Sequence, residues 1–141
     1  MNYHALAIDG PAGAGKSTVA KLLAKKLGYI YIDTGAMYRA VTLKALELEV
    51  DIDDPQAFGF LKETDMAFND GILYVNGEDV SLKIRSNAIS NNVSIVASHI
   101  PVRNQLVVIQ QQIAARANVV MDGRDIGTVV LPNADLKIFL T

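Results

Sequence analysis

Gly10-Pro11-Ala12-Gly13-Ala14-Gly15-Lys16-Ser17 decides how this chain is read. The octapeptide satisfies G-x-x-x-x-G-K-[ST], the loop whose backbone N–H groups cradle phosphate oxygens. Gly10, Gly13 and Gly15 let successive N–H groups converge on an anion. Lys16 adds a point charge for the outer phosphates, and Ser17 offers a hydroxyl to magnesium. Ser17 also stands at the start of a helix, whose N-terminal end favours anions. Pro11, Ala12, Ala14 and Thr18 complete the candidate phosphate site. The ligand class implied is a nucleoside triphosphate with Mg2+.

The flanks agree with the motif. Ala5-Leu6-Ala7-Ile8 is a short apolar run, as expected of a strand buried on both faces. Val19, Leu22, Leu23 and Leu27 recur at helical spacing, with Lys21, Lys25 and Lys26 largely between them. Gly28 is a helix stop. A ligand-free glycine turn explains neither the Lys-Ser pair nor both flanks.

Composition sets the outer bounds. The 141 residues suffice for one domain with a real core. Half are apolar and a fifth charged, the profile of a soluble globular protein. A net charge of −2 argues against a broad nucleic-acid surface. The absence of cysteine excludes disulfides and thiol catalysis and is compatible with a reducing cytoplasm. No apolar run approaches a membrane span, and Met1–His4 lacks the pattern of a signal peptide. The expectation is a cytoplasmic protein with small-molecule partners, and neither nucleic acid nor membrane.

Further along, Tyr29-Ile30-Tyr31-Ile32 predicts a second strand ending at Asp33-Thr34-Gly35. A helix is expected from about Ala36, with Met37, Ala40, Val41, Leu43, Ala45, Leu46 and Leu48 as its apolar face. Asp53 or Asp54 can cap a short helix with Pro55 at its first position. From about Thr64 to Val80, Asn69-Asp70-Gly71 and Asn76-Gly77 separate short β-prone runs and predict an antiparallel meander. A helical pattern then runs from about Asn87 to Asn118, broken near Pro101, with Ile109, Ile113 and Ala117 at spacing four. Asn118–Asp122 and Leu136–Leu140 are read as a third and fourth buried strand. The fold class is therefore α/β: a P-loop core with a parallel sheet flanked by helices, carrying a small antiparallel β insertion at about 64–86. Residues 1–141 are read as a single core. Ligands of such a sheet bind at the carboxyl ends of its strands.

Three clusters sit at those ends. Asp122 closes an apolar strand, where it is either the magnesium-holding Walker B carboxylate or a turn residue. Asp33-Thr34-Gly35-Ala36-Met37-Tyr38-Arg39 offers a second anion site. There Thr34 can cap the helix or touch phosphate, and Arg39 can hold phosphate by two parallel bonds. Tyr38 stacks on a base or fills the core. Asp122-Gly123-Arg124-Asp125-Ile126-Gly127-Thr128 sets an Arg between two Asp residues directly after a core strand, which favours ligand contact over a solvated turn.

Taken together, GPAGAGKST, DTGAMYR, the β insertion and DGRDIGTVV resemble the bacterial-type cytidylate kinases, a family of nucleoside monophosphate kinases. The resemblance covers essentially the whole chain. It implies phosphoryl transfer from ATP, with Mg2+, to CMP or dCMP. It implies Gly10 to Thr18 as the ATP phosphate site and Lys16, Arg39 and Arg124 as the catalytic cations. Arg39 and Arg124 would grip the CMP phosphate, with Asp33, Thr34 and Tyr38 in the acceptor pocket. Ser94, Arg103 and Asp125 would read cytosine. Chemistry agrees: a carboxylate suits the exocyclic amino group, and Arg and Ser can donate to the two ring acceptors. The acceptor oxygen is already anionic, so His4 and His99 are read as ordinary structural residues.

Two other classes compete. Another small-molecule kinase on this fold would not need the set Ser94, Arg103 and Asp125. A nucleotide switch should carry N-K-x-D, and a transporter ATPase L-S-G-G-Q; neither string occurs. The family pattern continues beyond Thr141 through an arginine-bearing lid, a last strand and a terminal helix. The chain is therefore expected to be a fragment of a monomeric enzyme, with an open sheet edge that favours self-association.

Overall fold

The computed structural model describes residues 3–11 and 13–141. Along the chain these form β1 (Ala5–Asp9), α1 (Lys16–Leu27), β2 (Ile30–Asp33) and α2 (Thr34–Glu47). A 3-10 segment (Pro55–Glu63) precedes β3 (Met66–Asn69), β4 (Ile72–Val75) and β5 (Glu78–Asp79). After a 3-10 turn (Lys83–Arg85) come α3 (Asn87–Ser98), α4 (Ile100–Ala114) and β6 (Val119–Gly123). A π-helical turn (Ile126–Val130) then leads to β7 (Leu136–Phe139). The chain divides into two compact units: Met1–Thr34 with Phe68–Gly71 and Gln110–Thr141, and Gly35–Ala67 with Ile72–Ile109.

The first unit holds a parallel sheet of order β2-β6-β1-β7. Ala5 lies opposite Val119 and Asp9 opposite Gly123, while Asp33 pairs with Asp122 across β2 and β6. β1 and β6 carry wholly buried residues such as Ala7, Ile8, Val120 and Met121, as strands covered on both faces should. The connection leaving β1 runs toward β2, and that leaving β6 runs the other way, toward β7. The carboxyl ends of these two neighbours are therefore a topological switch point, where open sheets bind ligands.

Helix α1 packs on this sheet, but not through the stripe its leucines predict. Ala20 and Ala24 are buried against Leu6, Ile8, Tyr31 and Val120, with Val19 and Leu23 beside them. Leu22 and Leu27 are 58% and 47% exposed. The buried stripe is therefore centred on alanine rather than leucine. Gly28 ends the helix as expected, at φ 70°. β7 is less buried than its apolar sequence predicts. Leu136 and Phe139 are 48% and 68% exposed, because among the described residues β7 pairs with β1 alone.

In the second unit, α2 buries Met37, Ala40, Val41 and Ala45 as predicted, together with Thr42, whereas Leu48 lies exposed. The helix begins at Thr34, two residues before the expected Ala36. Asp54 caps the 3-10 segment by accepting the Gln56 N–H at 2.9 Å, with Pro55 at the first position. The helical stretch from Asn87 breaks at His99, because Pro101 has no N–H to continue the ladder. Val102 and Leu106 form the buried stripe of α4, and Gln110 of the first unit continues it. Ile109, Ile113 and Ala117 are only partly buried, one position out of phase with the expected repeat.

The predicted meander is present, with strand order β3-β4-β5. Asp70-Gly71 (φ 52° and 77°) and Asn76-Gly77 (φ 50° and 83°) are its two-residue turns, with the positive φ that type I′ hairpins require. Asp65 and Asn76 close the end of the meander, with Asn76 N donating to the Asp65 carbonyl and Asp65 N to Asn76 Oδ1.

Candidate active site

The phosphate loop leaves β1 at Gly10 and enters α1 at Lys16. Gly13 and Gly15 both sit at φ 84°. A Cβ at either would meet nothing, so the backbone angle itself calls for glycine there. Gly15 is the N-cap of α1, and its carbonyl accepts the Val19 N–H at 3.2 Å. No acidic side chain lies in the first turn, while Lys25 and Lys26 occupy the last. The helix thus keeps its positive end uncompensated beside the loop. Pro11, Gly13, Gly15, Ser17 and Thr18 are exposed, and Lys16 and Ala14 half-buried. Ala12 lies outside the described residues.

Asp122 stands on β6, 4% exposed, with Asp33 opposite it on β2. Tyr31 donates its hydroxyl to Asp122 Oδ2 at 2.9 Å. Burial, with the neighbouring Asp33 charge, pushes the Asp122 carboxyl up to about 6, against the Tyr31 bond and the positive charges of Lys16 and Lys21. Burial first, then Asp33 and Asp122, drives the Tyr31 phenol upward, so it stays a donor. Lys21 Nζ lies 5.9 Å from the Tyr31 ring centre. Tyr31 was not singled out by its sequence context. It sits at an inward position of an apolar strand, where a hydroxyl and a ring look alike in hydropathy.

Thr34 is buried, and its Oγ1 donates to the Asp122 carbonyl at 2.7 Å. A Cβ on Gly123 would collide with that same Oγ1. The hydroxyl therefore ties the start of α2 to the end of β6. That bond spends the hydroxyl's one proton on a backbone carbonyl and leaves its lone pairs free to accept. The next residues, Arg124 and Asp125, are exposed, and Asp125 takes a left-handed conformation at φ 58°. Beyond them Ile126 N donates to Asp9 Oδ1 at 2.7 Å and Gly127 N to Asp9 Oδ2 at 2.9 Å. Asp9 too escaped the sequence reading, because a carboxylate at the end of β1 meets its partners 117 and 118 positions later.

The first unit thus gathers Gly10 to Thr18, Asp33, Thr34, Asp122, Arg124 and Asp125. The second carries Tyr38, Arg39, Ser94 and Arg103. Arg39 Nη1 donates to the Ile84 carbonyl and to Ser90 Oγ, each at 3.1 Å. A guanidinium has five N–H donors, so two bonds through one nitrogen leave capacity for an anion. Tyr38 is half-buried on α2; Ser94 on α3 and Arg103 at the start of α4 are exposed. His99 donates from Nε2 to the Ile52 carbonyl at 2.7 Å and packs on Phe58, while His4 holds Asp135 at 3.1 Å. Both histidines are structural, as expected.

The donor set fits magnesium brought by a nucleotide. Among the described residues no three His, Cys, Asp or Glu side chains form a cage. One buried carboxylate on Asp122 and one exposed hydroxyl on Ser17 suit Mg2+, which keeps waters and takes further ligands from phosphates. A cation beside Asp122 would also offset the burial that disfavours its charge.

A family model described as cytidylate kinase matches residues 6–141. The chain belongs to this family. A cytidylate kinase of Geobacillus sp. (strain WCH70) is 56% identical over 140 residues, covering 96% of this chain and 62% of the relative. Those of Acholeplasma laidlawii (strain PG-8A) and Bacillus thuringiensis (strain Al Hakam) are 53% and 54% identical, covering 61% and 62% of the relatives. The chain therefore spans about three fifths of the length of the family members it matches. No helix among the described residues is long and apolar enough to cross a membrane.

Proposed function

We propose that this chain is the nucleotide-binding core of an enzyme that transfers the γ-phosphoryl group of ATP to CMP or dCMP. One observation carries the reading. The strand that delivers the phosphate loop and the strand that delivers Asp122-Gly123-Arg124-Asp125 are neighbours, in register at Asp9 and Gly123. Donor-phosphate ligands and acceptor ligands thus leave the sheet side by side, at its switch point.

Each residue has a task that follows from its chemistry. Backbone N–H groups of residues 10–18, Pro11 excepted, hold the ATP phosphates, and Lys16 neutralises the outer ones. Ser17 and Asp122 would hold magnesium, which would supply charge neutralisation at the phosphates when bound with ATP. Arg39 and Arg124 grip the CMP phosphate, with Asp33, Thr34 and Tyr38 in the acceptor pocket. An oxygen of that phosphate is the nucleophile and is already anionic, so positioning replaces a general base. Ser94, Arg103 and Asp125 read cytosine. UMP would turn a carbonyl toward Asp125 and leave the carboxylate without its donor, a loss that supports strong discrimination.

An acceptor panel tests this. ATP consumption is expected with CMP and dCMP, and at least tenfold less with UMP, AMP or dTMP, the scale of one lost hydrogen bond to a charged group. Equal stimulation by all five, or stimulation only by a protein partner, would contradict it.

A further inference from the structure

The Asp9 carboxylate does a job that neither the phosphate-loop motif nor the acceptor motif assigns. It ends β1, one residue before Gly10. Both of its oxygens are engaged, one by the N–H of Ile126 and the other by the N–H of Gly127. Its carbonyl accepts Leu140 N at 2.8 Å, so its backbone is fixed from the β7 side as well. Charge-assisted bonds of this kind are about twice as strong as neutral ones.

The segment that Asp9 holds is short. β6 ends at Gly123, pinned by strand pairing and by the Thr34 bond to Asp122. The π-helical turn starts at Ile126 and is closed by Val129 N and Val130 N on the Asp125 carbonyl, at 2.9 and 3.3 Å. Arg124 and Asp125 therefore form a two-residue bridge between two anchors. One anchor is the sheet, and the other is Asp9. Asp125 itself is left-handed, a conformation Asp tolerates better than most residues, at the junction where the strand hands over to the turn.

We infer that Asp9 is a positioning residue, which sets Arg124 and Asp125 for the acceptor nucleotide by holding the turn that follows them. The inference rests on the reading of Arg124 and Asp125 as CMP contacts. Both Asp9 carboxylate oxygens are taken up by the turn, so its part is to hold the loop. It links the end of the strand that feeds the phosphate loop to the loop that meets the acceptor, so one side chain fixes both in the same frame.

Asp9→Asn tests the link while keeping size and shape. The amide has one oxygen to accept one N–H, and its NH2 would face the other donor. Titration calorimetry on the 141-residue chain would measure CMP and ATP separately for wild type, D9N, R124A and the double variant. D9N is expected to weaken CMP by about 10- to 100-fold, the scale of one lost hydrogen bond to a charged group. ATP should change by less than about threefold, and D9N should cost CMP less in the R124A background than in wild type, the remaining loss coming through Asp125. A variant that merely loosened the fold would weaken both ligands and add to R124A; that result overturns the inference, as does wild-type CMP affinity in D9N. If wild type itself shows no preference for CMP, the functional reading falls and takes this inference with it. Should D9N lose its cooperative melt, amide exchange on wild type decides: CMP must slow exchange at Ile126 and Gly127, and unchanged exchange there at saturation overturns the inference.

Discussion

At the scale of single residues, two contacts carry most of what can be tested. In the proposed reaction Lys16 is the charge that the phosphate loop presents to ATP. Lys16→Ala is expected to reduce CMP-dependent turnover by about 10²–10³, the cost of one preorganised donor; near-normal turnover would remove Lys16 from the mechanism. Gly123 is the second. Its α-hydrogen faces Thr34 Oγ1, and any Cβ there collides. Gly123→Ala should destabilise by about 1–3 kcal/mol, as small-to-large changes in packed sites do. Thr34→Ala alone should cost about 1 kcal/mol for the lost bond to the Asp122 carbonyl. In a thermal melt the double variant should cost less than the sum, because removing the hydroxyl makes room for the methyl. The phosphate-loop residues were legible because their pattern is local. The bonds made by Asp9, Tyr31 and Thr34 were not, because each reaches a partner about 90 or more positions away.

At the scale of elements, α1 shows how a helix can be recognised correctly and its buried face misjudged. Periodicity located the helix, and the capping Gly28 located its end. Leucine dominates the hydropathy pattern, but Ala20 and Ala24 are the α1 residues buried with Leu6, Ile8 and Val120. Ala24→Leu is therefore expected to destabilise by about 1–3 kcal/mol in chemical denaturation. Leu22→Ala, on the exposed face, should stay within about 0.5 kcal/mol. If the two effects were reversed, the packing described for α1 would be wrong. The entry to β7 gives a pH-dependent counterpart. Asp135 accepts the Ala5 N–H through Oδ1 and holds His4 through Oδ2. The Ala5 bond, then the His4 bond, keeps its carboxyl below the usual aspartate value. A depressed folded-state value means that the ionised form stabilises the fold. That contribution is present above the ordinary value and disappears as pH falls through the lowered one. Asp135→Asn should therefore lower the melting temperature at about pH 7 and leave it unchanged at about pH 2. A gap that persists in acid would assign the effect to packing instead.

At the scale of the whole molecule, alternating strands and helices predicted a parallel sheet, and the sheet has the order β2-β6-β1-β7. That order was not itself legible, since nothing local in β1 says that β6 rather than β2 lies beside it. It matters because it sets the phosphate loop next to Asp122 and Arg124-Asp125. The meander was legible down to its turns, because Asp-Gly and Asn-Gly encode their own geometry. The burial of β7 was overestimated, because an apolar run reveals its own preference but not how many neighbours it has. The central claim is that this chain recognises cytosine on a monophosphate, and calorimetric titration with CMP, UMP and AMP addresses it most directly. The account predicts that CMP binds at least tenfold more tightly than the other two, and that Asp125→Ala abolishes that preference. Equal affinity for the three nucleotides, in a chain that melts cooperatively, would contradict it.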